Sequence, residues 1–231
     1  MAYSSSTLPE TTPDATLQAT PFFNFNHPTI QQLIADINGE TPTEQAIDAY
    51  YRIRDNIRYN PYTVTDGIPA LTAEYCLLHG QGYCIPKAAL MVAVCRGLGI
   101  PARLGLADVR NHLASDNLLE WLGTDYFAMH GYADIQLQGR WVKCTPTFNK
   151  ALCRKFNVDS LPFDGVNDAI LQPATRDGRA HMEYLKDHGT FVEMPVEKIM
   201  AELESRYPTI MATMKQGQHL SETDSLEQDL D

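Results

Sequence analysis

The sequence has no apolar run approaching the ~20 residues needed to cross a bilayer, and no N-terminal stretch joins basic residues to an apolar segment as a secretory leader would. The expectation is a protein made and kept in the cytoplasm. Basic residues are few: 18 Lys and Arg stand against 29 Asp and Glu, for a formal net charge of -11 and a pI near 5.0. They are also dispersed, which leaves no basic patch for a phosphate backbone, so neither nucleic acid nor membrane is expected as a partner. Cysteine is scarce and odd in number (Cys76, Cys84, Cys95, Cys144, Cys153), with no C-x-x-C pair. That fits free thiols in a reducing compartment, not a disulfide framework or a structural zinc site. No histidine forms an H-x-x-x-H pair beside an acid, and no internal repeat is found. No metal or cofactor is called for.

What is present is enough apolar residue, 44% of 231, for one globular domain that buries roughly 70–75% of the surface of its unfolded chain. The Ser, Thr and Pro of residues 1–26 read as a disordered lead-in with an aromatic anchor at Phe22-Phe23, and the polar, acidic residues 216–231 as a disordered tail, leaving residues 27–215 as the domain. Ile30, Leu33, Ile34 and Ile37 recur at helical spacing. Thr41-Pro42-Thr43-Glu44 is a capping box with proline at the first helical position, opening a helix that carries Ile47, Tyr50, Tyr51, Arg54 and Ile57. A further short helix starts at Thr72-Ala73-Glu74 and stops at Gly80.

The chain is organised around Gly80 to Arg103, G-Q-G-Y-C-I-P-K-A-A-L-M-V-A-V-C-R-G-L-G-I-P-A-R. Ala88 to Cys95 is apolar nearly all round, the mark of a core helix, and Pro86 predicts its start, with its end near Gly97 or Gly99. Cys84 then sits at the helix mouth, where unpaired N–H groups and the helix dipole favour thiolate. Most free cysteines are small buried hydrophobes, as Cys95 is expected to be; the glycines before Cys84 set it apart.

After Pro101, Ala102 to Val109 reads as a strand, and Leu118, Leu119 and Leu122 mark a helical piece within residues 110–125. Phe127 to Leu137 and Arg140 to Cys144 form two strands joined by Gln138-Gly139, a hairpin signal. Pairing Leu137 with Arg140 sets Tyr132 opposite Thr145 and His130 opposite Thr147, so that His130, Tyr132, Asp134, Thr145 and Thr147 share a face while Cys144 points away. Residues 156–180 look loop-like, and residues 195–214 helical with a break at Pro208. Helices first and antiparallel strands after predict an α+β fold.

The I-R-Y ending at Tyr59, T-A-E at Thr72 to Glu74, G-Q-G-Y-C at Gly80 to Cys84, R-G-L-G-I-P-A-R at Arg96 to Arg103 and H-G-Y-A-D-I-Q-L-Q-G-R-W-V at His130 to Val142 together resemble the transglutaminase-like (papain-like) superfamily over roughly residues 45–149. The resemblance implies a central buried helix packed on an antiparallel sheet and a Cys–His–Asp acyl-transfer site. Cys84 is the nucleophile and His130 the base. The acid position falls on Thr145, in T-P-T where the family usually has D-P-T. A threonine accepts the imidazole N–H but cannot stabilise imidazolium by charge. Asp134 is the alternative third member. Gln81 is a candidate for the oxyanion site and Tyr132 for substrate contact, although Tyr132 also suits hairpin packing. The remaining histidines (His27, His79, His112, His181, His188, His219) read as loop, helix-end or tail residues. The expected activity is transfer of an acyl group from a peptide, protein or small amide, through a Cys84 thioester, to water or an amine. Two alternatives stand beside it: a silent relative that binds a peptide or protein through the old cleft, and a redox thiol with Cys144 as partner.

Overall fold

Proline at the start opens both leading helices in the computed structural model, which describes residues 14–230. In α1 (Pro28–Ala35) the His27 ring caps the Thr29 N–H, and in α2 (Pro42–Asn56) Thr41 and Glu44 close the capping box from both sides. The chain then forms β1 (Arg58–Tyr59), two 3₁₀ turns (Pro61–Asp66 and Ile68–Leu71), α3 (Ala73–His79) and β2 (Gln81–Gly82), which pairs in parallel with β1.

Next comes α4 (Cys84–Gly97), whose residues from Cys84 to Arg96 are all buried. It starts two residues before Pro86, which lies inside its first turn. The expected start at Pro86 is thus late by two, because first-turn N–H groups have no intrahelical acceptor and proline's missing donor is tolerated there. The two polar residues of α4 are spent on main-chain carbonyls: Arg96 donates to Ala102, Gln18 and Val192, and Lys87 to Arg54 and Ile57.

β3 (Ala102–Asn111), α5 (Asp116–Leu122), β4 (Tyr126–Leu137) and β5 (Arg140–Cys144) follow, then α6 (Lys150–Lys155), a long loop and β6 (Met182–Phe191). The four strands β5-β4-β3-β6 form one antiparallel sheet. Gln138 (φ 51) and Gly139 (φ 76) make the two-residue turn, and the ladder from Leu137↔Arg140 to Ala133↔Cys144 has the expected register. α4 packs on this sheet, giving an α+β fold of the papain-like kind.

The chain ends with α7 (Val196–Arg206), α8 (Pro208–Lys215), a 3₁₀ turn (Leu220–Glu222) and α9 (Leu226–Asp229). Both expected disordered ends need correction within the described residues. Residues 14–26 carry a 3₁₀ turn, and Phe23 is fully buried with the Arg96 guanidinium 4.8 Å from its ring. Past residue 215, Leu226 joins the main core and the polar side chains around it find specific partners. Composition alone signals a failure to form an independent core, and here a neighbouring surface supplies the burial. Residues 1–13 of the lead-in lie outside the described residues. Among the described residues no helix is long and apolar enough to cross a membrane.

Candidate active site

Cys84 is the first residue of α4, and its N-cap, Tyr83, makes no side-chain capping bond. Of the N–H groups of that turn, those of Cys84 and Ile85 are directed at the Cys84 sulfur. Lys87, one turn along and fully buried, ties the turn to the end of α2 through the Arg54 carbonyl at 3.2 Å and the Ile57 carbonyl. Burial lowers the Lys87 pKa to about 7.

His130 reaches the same place from β4, just after an irregularity in the β3–β4 ladder between Ala107 and Val109. Met129 has a positive φ of 58 and its N–H donates to the Asp108 carboxylate at 3.0 Å. Asp108 is wholly buried, also accepts the Tyr126 hydroxyl at 2.6 Å, and has His188 Nε2 2.8 Å from Oδ1 without the alignment of a hydrogen bond. Burial pushes this carboxyl up, but Tyr126, Met129 and His188 outweigh it and hold it below its ordinary value. Asp108 thus fixes the bulge that aims His130. The sequence offered one signal for it, a lone acid inside the apolar strand L-A-D-V. His188, expected in a loop, lies on β6 with its side chain 4% exposed.

Cys84 and His130 line one apolar cavity of about 60 Å³. Its other walls come from the β1 region (Tyr59, Pro61, Val64), α5 (Trp121, Leu122), the start of β4 (Phe127, Ala128, Met129) and the C-terminal helices (Ile199, Leu203, Tyr207, Ile210). Tyr207 fastens those helices to β4, accepting the Ala128 N–H at 2.7 Å and donating to the Tyr126 carbonyl at 2.8 Å. The indole N–H of Trp121 is buried without an acceptor among the described residues.

The site is closed. Cys84 is 9% exposed and His130 3%. Burial raises the Cys84 thiol to about 11, with the N–H groups of Gly131 and Ile85 opposing, and lowers His130 to about 4. In this form the pair is neutral thiol and neutral imidazole, whereas the helix mouth alone predicts thiolate. Desolvation outweighs the helix terminus.

Neither expected third member is hydrogen-bonded to Nε2 of His130. Asp134 gives Oδ2 to Arg103 at 2.8 Å, while its Oδ1 is buried without a partner among the described residues. Thr145 is buried but lies past the end of β5, where its N–H turns to the Ala169 carbonyl at 2.9 Å. Its hydroxyl, that of Thr147 and Nε2 of His130 are all buried without partners among the described residues. The register argument holds to Cys144 and fails beyond it because the ladder ends there. Neither substrate candidate lines the cavity. The Tyr132 ring lies over Gly105 and its hydroxyl faces Asp187, while Gln81 accepts from Arg58 and Asn60 and donates to the Ser221 carbonyl.

The sequence model of the transglutaminase-like superfamily matches residues 31–146, a span holding both Cys84 and His130, and the chain belongs to that superfamily of cysteine-based catalytic domains. A comparison with curated proteins finds no match. Among solved structures the chain is similar to a proposed cysteine protease from Cytophaga hutchinsonii, at 18% identity and a TM-score of 0.42, over 57% of this chain and 40% of that one. The chain thus spans less than half the length of that relative.

Proposed function

We propose that the chain transfers acyl groups through a thioester on Cys84, with His130 as the base. The observation that carries this reading is the meeting of Cys84, at an uncapped helix start, with His130 on one cavity wall. In the first half-reaction the Cys84 proton passes to the His130 ring. The sulfur bonds to the carbonyl carbon of the substrate, and the leaving amine departs with the proton from His130. Water or an amine then adds to the thioester, gives its proton to His130, and releases Cys84 as thiolate to take that proton back. The α4 amides receive the carbonyl oxygen as charge develops, and the Trp121 indole N–H is a second donor on the wall. Thr145 is the orienting group, supported by its family position and by a buried hydroxyl without a partner among the described residues.

The substrate is a peptide, protein or small amide, and five free buried thiols favour the cytoplasm. Presenting an amide donor with and without a primary amine, and comparing acid with amide product, separates hydrolysis from transfer. Product that survives Cys84→Ala contradicts the reading. That no carboxylate among the described residues acts on His130 favours a second reading, a silent domain that binds a peptide in its cleft; it predicts peptide binding with no Cys84-dependent product.

A further inference from the structure

The acidic stretch after residue 217 has a composition that forms no core of its own, yet it is held in a defined path beside the Cys84 site. Four side chains grip its main chain. Thr65 Oγ1 accepts the Leu220 N–H at 3.1 Å, Gln81 Nε2 donates to the Ser221 carbonyl at 3.2 Å, Asn60 Nδ2 to the Asp224 carbonyl at 3.0 Å, and Lys155 Nζ to the Glu227 carbonyl at 2.6 Å. Two carboxylates are received as well. Asp229 accepts from the Tyr62 hydroxyl at 2.7 Å, Ser115 Oγ at 3.1 Å and Asn117 Nδ2 at 3.1 Å, and Glu227 from Asn149 Nδ2 at 3.0 Å. Just before the first of them, Leu226 is 1% exposed.

None of the gripping residues lines the catalytic cavity, but several adjoin residues of its walls. Gln81 stands three residues before Cys84, Asn149 Oδ1 accepts the N–H of cavity-lining Tyr59 at 3.1 Å, and the Tyr62 ring packs 5.0 Å from that of Trp121 on the cavity wall. Side chains that bond to main-chain groups along a segment recognise a polypeptide whatever its sequence, and the carboxylate receivers add a preference.

We propose that this groove is the peptide-binding site of the enzyme and that the chain's own C-terminal segment occupies it as an intramolecular inhibitor. The ligand class is an acidic peptide with two carboxylates spaced by two residues and an apolar residue just before the first. The proposal rests on Cys84 being the reacting group, but its test needs no turnover. The full chain carrying Glu227→Ala and Asp229→Ala is compared with the parent for alkylation of Cys84 by iodoacetamide. The segment carries charge-assisted bonds worth roughly tenfold or more each, so its release should speed labelling at least about tenfold. A synthetic peptide of residues 218–230 should bind this variant, measured by fluorescence anisotropy, and slow the labelling again. The same peptide with alanine at its acidic positions should do neither. Tyr62→Phe keeps the ring against Trp121, removes only the hydroxyl, and should weaken the peptide's binding. If the double variant loses its native circular dichroism, Tyr62→Phe in the parent replaces it and should also speed labelling. Unchanged labelling, or a released groove that does not bind the peptide, overturns the proposal. A groove that binds the peptide in a protein that forms no thioester upholds it and sinks the acyl-transfer reading alone.

Discussion

Gly131 stands so close to Ile85 that a side chain there has nowhere to go: an added Cβ would lie 2.8 Å from the Ile85 Cα and 3.1 Å from the Cys84 carbonyl carbon. β4 touches the first turn of α4 at this point, one residue from His130. Gly131→Ala should push the two elements apart, lowering stability by about 1–3 kcal/mol as overpacking does. Urea unfolding reads the first effect. The second is loss of Cys84 acylation well beyond what the lost stability explains, read by mass spectrometry under conditions where the variant is folded.

The closed site makes a pH prediction with a definite sign. His130 is held at about 4 against an ordinary 6.5, so between those values the unfolded chain binds a proton that the folded chain refuses, and stability rises with pH. The full effect is on the order of 3 kcal/mol. His181, also lowered to about 4 by burial, adds a slope of the same sign. His130→Gln should therefore remove only part of the slope between pH 4 and 6.5. Cys84, raised to about 11 from 9.0, keeps its proton where the unfolded chain loses it, so stability falls across that window. Iodoacetamide labelling of Cys84 should climb towards pH 11 with no plateau near neutrality. A neutral plateau would mean that thiolate and imidazolium already coexist in the closed form.

Asp108→Asn should loosen the bulge before His130. The loss of charge-assisted bonds to the Tyr126 hydroxyl and the Met129 N–H should destabilise the fold by about 2 kcal/mol. Because the Asp108 pKa is depressed, its contribution is present at neutral pH and fades as pH falls through the folded-state value. The parent and the variant should accordingly converge in thermal stability under acid. A constant gap down to the lowest pH at which both fold would assign Asp108 a role in packing without charge.

The helices and the hairpin were legible because each rests on local pattern: a capping box at Thr41, an all-apolar helix after Cys84, a turn at Gln138-Gly139. β6 was not, since it is an edge strand with irregular pairing and mostly exposed side chains, so M-E-Y-L-K-D-H-G-T-F carries no alternation. α9 was not, because its order comes from a groove formed by residues far away in sequence. Asp108 was passed over for a related reason. Its importance lies in Met129 and Tyr126 on the next strand, and nothing local in A-D-V announces them. Thr145 illustrates the limit of register, which holds only while the ladder continues.

Thr145 separates folding from chemistry. Its hydroxyl has no partner among the described residues, so Thr145→Val keeps the shape, removes an unsatisfied polar atom and should leave stability within about 1 kcal/mol or raise it. If Thr145 orients His130, the same change should slow acylation of Cys84, and Thr145→Asp should raise the His130 pKa by supplying an ionic partner. Proton NMR titration of the imidazole reads the second effect. A His130 pKa indifferent to both substitutions would remove Thr145 from the site.

The most direct test of the account is to look for the thioester itself. The protein is exposed to an activated acyl ester, quenched in acid, and weighed intact before peptide mapping. The account predicts one added acyl group, located on Cys84, released by neutral hydroxylamine, absent in Cys84→Ala and formed at least about a hundredfold more slowly in His130→Ala. Acylation that settles on Cys153 or another thiol, or that proceeds at the same rate without His130, would contradict it.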